Sequence, residues 1–580
     1  MMIRYSTPGA RHRRLAVAAF AVAVTLAATS CSFSDNPDKE SGAQVLKLAV
    51  GAPIDSLDPH FINNGGYVVP AGLLEGLVAQ NDAGDDVVPA IATKWEQSAD
   101  GLTYTFTLRE DAKFSNGEPI TAESVVSNYR RLLTPTGAGG GSVTNANSYQ
   151  IGLGIKNASA YQTGALTDWA DVGISAPDDS TVVISLDAPN PDFLLGMTNN
   201  SMLITDTAAI EANPKDWTKA ENWVGSGAFT VKSWDPSTGM KLVPNKFYWD
   251  RDKVELDEVD IRVIQDPQAA ILAYRNGELD VSPVSMDLIS KDDKLLGETE
   301  KADGFAIDFL NVQYSQNPAA QDQRVRQALS YAIDRDKLAG VQVGTTTSNS
   351  LVPTRVEGWT DSMGVSVYDP DKAKQLLVEA GYPGGEGLPA VQVFDHRPRP
   401  VADAIVDMWK QIGVEAKVTI VDIGVWADTR WKVLDEDLMG FYINSFGGIP
   451  TLNNWVYTYW GPDSTKQFSL APADWNRYQE IQADEKLDGA KKSQMLDNIL
   501  NTKSSEGAQE FADLVEQARQ TVDPAERTAL YVEAATLRES LALQIPLLEE
   551  PQAFLVDPTV KGVHVRTTIE GFYYKGVTVG

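Results

Sequence analysis

The sequence predicts a mixed α/β protein of two or three domains, and three observations carry that prediction. Short runs such as Val45–Val50 and Thr103–Leu108 alternate apolar and polar residues with the period of a strand. Val325, Ala328, Leu329, Ala332 and Ile333 recur with the spacing of one helical face. The chain has 580 residues, and a single hydrophobic core stops growing at about 250–300 residues.

The first element is an export signal. Arg4, Arg11, Arg13 and Arg14 precede an apolar run, Leu15–Ala28, which ends at the small residues Thr29 and Ser30. The run is too short for a bilayer, whose crossing takes about 20 apolar residues. Cys31, the only cysteine of the chain, follows directly. This arrangement resembles the bacterial lipobox, in which the thiol is acylated and residues 1–30 are removed. It departs from that pattern at Ala28, where leucine is usual. Arg13–Arg14 is the one feature shared with twin-arginine signals. Residues 31–45 are polar, with Ser, Asp and Pro, and read as a tether.

Loss of residues 1–30 deletes four positive charges and no negative one, moving the formal charge from −30 to −34. So acidic a body disfavours nucleic acid, because affinity for phosphate rests on Lys and Arg. A single cysteine allows no internal disulfide, so stability must come from packed cores.

Strands are expected at Val45–Val50, at Thr103–Leu108 with Tyr104, Phe106 and Leu108 on one face, and at Val182–Leu186. Helix starts are signalled by Asp369–Pro370 and Asp523–Pro524, each an acidic cap followed by proline at the first turn. Gly381 is the expected stop of the first of these. Trp95, Phe106, Phe114 and Trp234 read as packing residues. The run Gly137–Ser142 lacks the lysine of a phosphate-binding loop and reads as a surface loop.

Catalytic patterns are missing from the sequence. Beyond His12 in the signal, His60, His396 and His564 are scattered without metal-ligand spacing, and neither HExxH nor GxSxG occurs. No catalytic residue, cofactor or metal is expected. A secreted hydrolase stays open only through carboxylate pairs formed in space.

Four stretches resemble the bacterial extracellular solute-binding proteins of oligopeptide- and dipeptide-type ABC importers (family 5). The first runs from Leu73 to Leu133 and includes Pro89–Ala90, Trp95, Asp100–Gly101, Leu108–Arg109, Phe114, Gly117 and Pro119. The second is Val224–Asp250, with Gly225–Ser226–Gly227 and Tyr248–Trp249–Asp250. The third is Arg324–Leu338, with Asn311 upstream. The fourth runs from Asp523–Arg527 through Ile545–Leu547 to Lys561–Val563.

The resemblance implies a two-lobed periplasmic-binding-protein-like α/β fold with a hinge and an extra small domain in the first lobe. Lobe I would comprise 46–71, 224–305 and 546–580, the small domain 72–223, and lobe II 306–545. The chain would pass between lobes near Phe305–Asn311 and near Leu541–Pro546. The implied protein is a monomeric receptor, anchored outside the cell membrane by Cys31, that captures a solute and delivers it to ABC permease subunits.

The resemblance also implies where the ligand sits. Trp426 to Trp460 holds nine aromatic residues in 35, about three times the chain average of 8%. In the oligopeptide branch this region carries an aspartate that pairs with the peptide's terminal ammonium. Here the run is Phe446, Gly447, Gly448, Ile449, Pro450, with Ile449 at the aspartate's position, and no acidic residue lies between Met439 and Pro462. A buried ammonium without a carboxylate costs several kcal/mol. Peptide or peptide-like solutes are the first expectation, and a neutral oligosaccharide held by aromatic faces and asparagines the second. The expected ligand-binding residues are Leu57, Asp58, Phe61, Asn311, Tyr314, Phe446, Gly447, Gly448, Ile449, Asn453 and Trp455. Asp58 serves equally well as a turn cap before Pro59, and half of the aromatics as core.

Overall fold

The computed structural model describes residues 43–580 except 55, 61–69, 83, 85, 135–152, 163, 314–316, 397–399, 423–424, 427–428, 430–436, 449, 485, 488, 522 and 566–571. Cys31, the tether to residue 42, the loop Gly137–Ser142, Phe61, Tyr314 and Ile449 therefore lie outside the described residues. No described helix is long and apolar enough to cross a membrane.

One sheet of 11 strands runs through the protein. Its centre is a pair of long antiparallel strands, Thr299–Val312 and Gln544–Val556. On one side of this pair come Val281–Pro283, Val45–Val50, Glu258–Val263, Gly239–Pro244 and Phe229–Asp235. On the other side come Leu438–Gly447, Ala390–Asp395 and Ala416–Ile420, and the eleventh strand, Thr346–Thr347, pairs with Leu548 and Glu549 of the second long strand. The first group pairs with the Val556 end of the long pair and the second with residues 306–312, so each long strand serves both halves.

Between the halves the pairing slips. Ala302 faces Gln552 and Ala306 faces Glu550, so three residues on one strand oppose one on the other. An insertion of this kind breaks the ladder and bends the strand. The slip lies just before the first expected passage between lobes, and on the second strand a few residues after the expected one.

The half of the sheet that carries Leu438–Gly447 is covered on both faces. Leu310 and Val312 face a core with helices Gln323–Tyr331, Pro370–Glu379 and Pro400–Lys410. Ile307 and Phe309 point the other way, into a core with Glu506–Gln520 and Pro524–Ser540. Period-two alternation thus divides one strand between two cores. The expected stripe Val325, Ala328, Leu329, Ala332 and Ile333 is fully buried. Asp369 and Asp523 cap their helices by accepting from the backbone N–H of Lys372 and Glu526, and Gly381 follows the first helix at φ +92°.

A four-stranded sheet, ordered 92–97, 103–108, 181–185, 174–178, forms a separate core with helix Ala122–Leu133. Tyr104, Phe106 and Leu108 are buried in it as their alternation requires. Phe114 is buried there as well, while Trp95 and Trp234 are partly buried against cores.

Parts of the first two family-like stretches meet at the root of this small domain. Glu75 accepts from the Tyr248 hydroxyl and from Trp249 Nε1, both at 2.6 Å. The Arg109 guanidinium stacks 3.3 Å from the Trp249 ring centre, and Ser226 donates to the Ile204 carbonyl at 2.7 Å. These residues tie the four-stranded sheet and its helix to the segment Val224–Asp250.

Candidate functional site

The strand Leu438–Gly447 is buried on both faces until Ser445, and then the chain emerges. Phe446 is half-buried, with its ring centre 5.0 Å from Phe309, 5.5 Å from Trp460 and 5.7 Å from Tyr459. Such offset aromatic contacts fix a ring's plane. Arg538 closes the cluster from behind, 4.5 Å from the Trp460 ring centre.

The next two residues are held by their carbonyls. Tyr459 donates its hydroxyl to the Gly447 oxygen at 2.6 Å, and Arg355 donates to the Gly448 oxygen at 3.2 Å. Gly448 is a close-approach glycine: a Cβ there would collide with the Tyr459 ring and lie 2.8 Å from Asn454 Nδ2. After Pro450 the chain enters a π-helical turn, Asn453–Tyr459, a wide helical geometry frequent at functional sites.

Arg355 is delivered by Glu549 on the second long strand. Glu549 accepts from the Thr354 backbone N–H at 2.7 Å and from its hydroxyl at 3.0 Å. Burial pushes the Glu549 carboxyl up, and the Thr354 hydrogen bonds hold it back. Burial brings the Arg355 guanidinium down to about 10 against the attraction of Glu549.

The remaining expected residues among those described are all buried. Asn311 is 1% exposed, and its amide oxygen accepts from Gln544 at 3.1 Å inside the sheet. Trp455 is fully buried in the core with Glu506–Gln520 and Pro524–Ser540, and Leu57 in the core with Val45–Val50 and Glu258–Val263. Asp58 is buried in an ion pair with Arg131, which donates to Oδ1 at 3.1 Å and also contacts Oδ2, and Asp58 accepts from the His60 backbone as a turn cap does. Asn453 is 8% exposed, and its side chain is engaged by Tyr531 and by Asn190.

Among the described aromatics of the 426–460 window, Trp426, Phe441, Tyr442, Trp455 and Trp460 are buried, and Phe446, Tyr457 and Tyr459 are half-buried. Most of that enrichment packs the interior. The residues that sequence reasoning passed over are Arg355, Asn190 and Tyr531. Their partners are distant in the chain, and no local pattern marks them.

The family model for the middle region of bacterial extracellular solute-binding proteins, family 5, matches residues 86–468. That span is more than half of the chain. The chain belongs to this family. Its members are extracytoplasmic binding proteins rather than enzymes.

The murein peptide-binding protein MppA of Escherichia coli is 31% identical over 62% of this chain and 67% of its own. The oligopeptide-binding protein OppA of Escherichia coli is 26% identical over 98% of both chains. Among solved structures, Escherichia coli MppA superposes with a TM-score of 0.75 at 24% identity, over 93% of this chain and 99% of that one. Haemophilus influenzae OppA in complex with the peptide RPPGFSPFR superposes with a TM-score of 0.73 at 22% identity, over 93% and 99%. These structures establish the two-lobed fold.

Proposed function

We propose that this family 5 chain is the receptor of an ABC importer, which captures a peptide or peptide-like solute between its lobes and delivers it unchanged to the permease. The observation that carries this reading is the Phe446–Gly448 segment. It emerges from the sheet next to the bulged strand pair, with its ring fixed by aromatic contacts and its carbonyls fixed by Tyr459 and Arg355. In this reading lobe I comprises 46–71, 224–305 and 546–580, the small domain 72–223, and lobe II 306–545. The register slip at Ala302 and Ala306 is the hinge, which absorbs the rotation as the lobes close.

Phe446, Gly447, Gly448 and Ile449 are assigned to ligand contact, together with Phe61 and Tyr314. Leu57, Asn311, Asn453 and Trp455, also expected at the ligand, are buried, and Asp58 is spent on Arg131. Cys31 is assigned as the lipidated anchor. A diacylated cysteine supplies the two chains that stable membrane attachment needs. No catalytic role is assigned to any residue, and the receptor acts as a monomer.

An oligosaccharide is the weaker reading, since five of the eight described aromatics are spent on core packing. The test is mass spectrometry of solute co-purified with the chain from its native host, followed by thermal melts with synthetic peptides. Intact peptides that raise the melting temperature support the proposal. Recovery of sugars alone, with no shift from any peptide, rejects the substrate class.

A further inference from the structure

Arg538 stands in the last turn of helix Pro524–Ser540 and is buried. Its Nε donates to the Thr465 hydroxyl at 3.1 Å, and that hydroxyl donates to the Trp460 carbonyl at 2.6 Å. Its Nη2 donates to the side-chain oxygen of Gln544, which in turn donates to Asn311 at 3.1 Å inside the sheet. The centre of the guanidinium lies 4.5 Å from the Trp460 ring centre. One side chain thus holds Trp460 at its backbone and at its ring.

Trp460 passes that restraint on to Phe446. The two rings stack at 5.5 Å with 26° between their planes, and Phe309 packs edge-on against both, at 5.1 Å and 5.0 Å. The indole N–H of Trp460 donates to the Leu351 carbonyl at 3.4 Å, in the segment that delivers Arg355 to Gly448.

A guanidinium is a costly way to fill this space. Burial brings it down to about 10 against the attraction of Glu539, and its Nη1 has no hydrogen-bond partner among the described residues. An apolar side chain of similar volume often stabilises a core as well as a buried charge does, or better. What it cannot supply is a flat fork of donors joined to attraction for an indole face.

We propose that Arg538 is a positioning residue of the solute site: it fixes Trp460, and through that ring the place of Phe446 and of the Gly447 and Gly448 carbonyls beside it. The proposal deepens the receptor reading and rests on it, because that reading brings Phe446–Gly448 to the solute. Solute affinity then depends on a buried side chain behind the contact surface.

The test is Arg538→Met in the mature chain, followed by urea titration, hydrogen exchange and peptide binding. Stability in urea should match or exceed that of the unaltered chain, since Met fills the volume without a buried charge. Amide exchange over residues 446–460 should rise about fivefold, the factor that one net hydrogen bond contributes, while helix Pro400–Lys410 stays unchanged. Members of a library of short peptides that raise the melting temperature of the unaltered chain should bind the variant about tenfold more weakly. Arg538→Lys keeps the charge without the plane or the fork, and should behave as Arg538→Met does in exchange and binding. Should Arg538→Met fold poorly, Thr465→Val breaks the link to the Trp460 backbone, and the same local loosening is expected. Exchange over 446–460 that is unchanged in every folded variant overturns the proposal, as does a rise spread evenly over the whole chain. Local loosening with peptide binding unchanged, or with no response to any peptide, overturns the assignment of Phe446–Gly448 to a peptide solute and leaves the hold of Arg538 on Trp460 standing.

Discussion

Arg355 donates to the carbonyl of Gly448 at 3.2 Å, so a guanidinium is fixed on the residue that precedes Ile449. The family resemblance implies an aspartate at 449 that would meet a peptide's ammonium, and this sequence has Ile449 there. A peptide with its N-terminus acetylated should therefore bind within about tenfold of its free form, a difference of at most about 1.4 kcal/mol. Calorimetric titration of matched peptide pairs checks this. A much larger loss on acetylation contradicts it.

Gly448 sits where a methyl group has no room, between Tyr459 and Asn454. Gly448→Ala should lower stability by about 1–3 kcal/mol, the usual range for overpacking. It should weaken solute binding as well, because the loop must shift. Urea titration reads the first effect and ligand titration the second.

The Asp58–Arg131 pair is buried, and His60 Nδ1 lies 2.8 Å from the same guanidinium. Asp58→Ala strands the arginine and should cost about 3–5 kcal/mol. Burial and the neighbouring Arg131 hold the His60 imidazole down to about 3. Its folded form thus refuses a proton that the unfolded chain accepts below pH 6.5. This contribution is complete above that pH and is lost on acidification toward 3, at up to about 1.4 kcal/mol per pH unit. Replacing His60 with Gln should flatten that part of the stability profile.

Glu539 titrates in the opposite sense. Burial pushes its carboxyl up to about 7, although it accepts from the Leu351 N–H and lies near Arg538. The folded chain keeps this proton after the unfolded chain has released it, so the contribution to stability declines from ordinary glutamate values up to pH 7. Glu539→Gln preserves the acceptor and removes the ionisation. Denaturation at pH 5 and pH 8 should show the variant gaining on the unaltered chain at the higher pH. An unchanged difference between the two pH values contradicts this assignment.

Much of the fold was legible in local sequence. Asp369 and Asp523 announced their helices because a cap and its N–H partner lie three residues apart. Tyr104, Phe106 and Leu108 announced a strand with one buried face. The strand Leu438–Gly447 carried no alternation, since a strand covered on both faces is apolar throughout. The site was harder to read. The aromatic count near Trp426–Trp460 drew attention to this segment, but Phe446 and Tyr459 cannot be told from buried Trp455 by composition. Arg355 and Gly448 are 93 residues apart, and Asn190 and Asn453 are 263 apart. Only the folded chain brings such pairs together.

The most direct measurement combines a thermal melt with recovery of the ligand, using the purified chain and a library of short peptides. The account predicts that at least one peptide raises the melting temperature by several degrees and is recovered with its mass unchanged after prolonged incubation. A library that leaves the melt untouched, or a stabilising peptide recovered in pieces, would contradict a receptor that captures its solute and releases it whole.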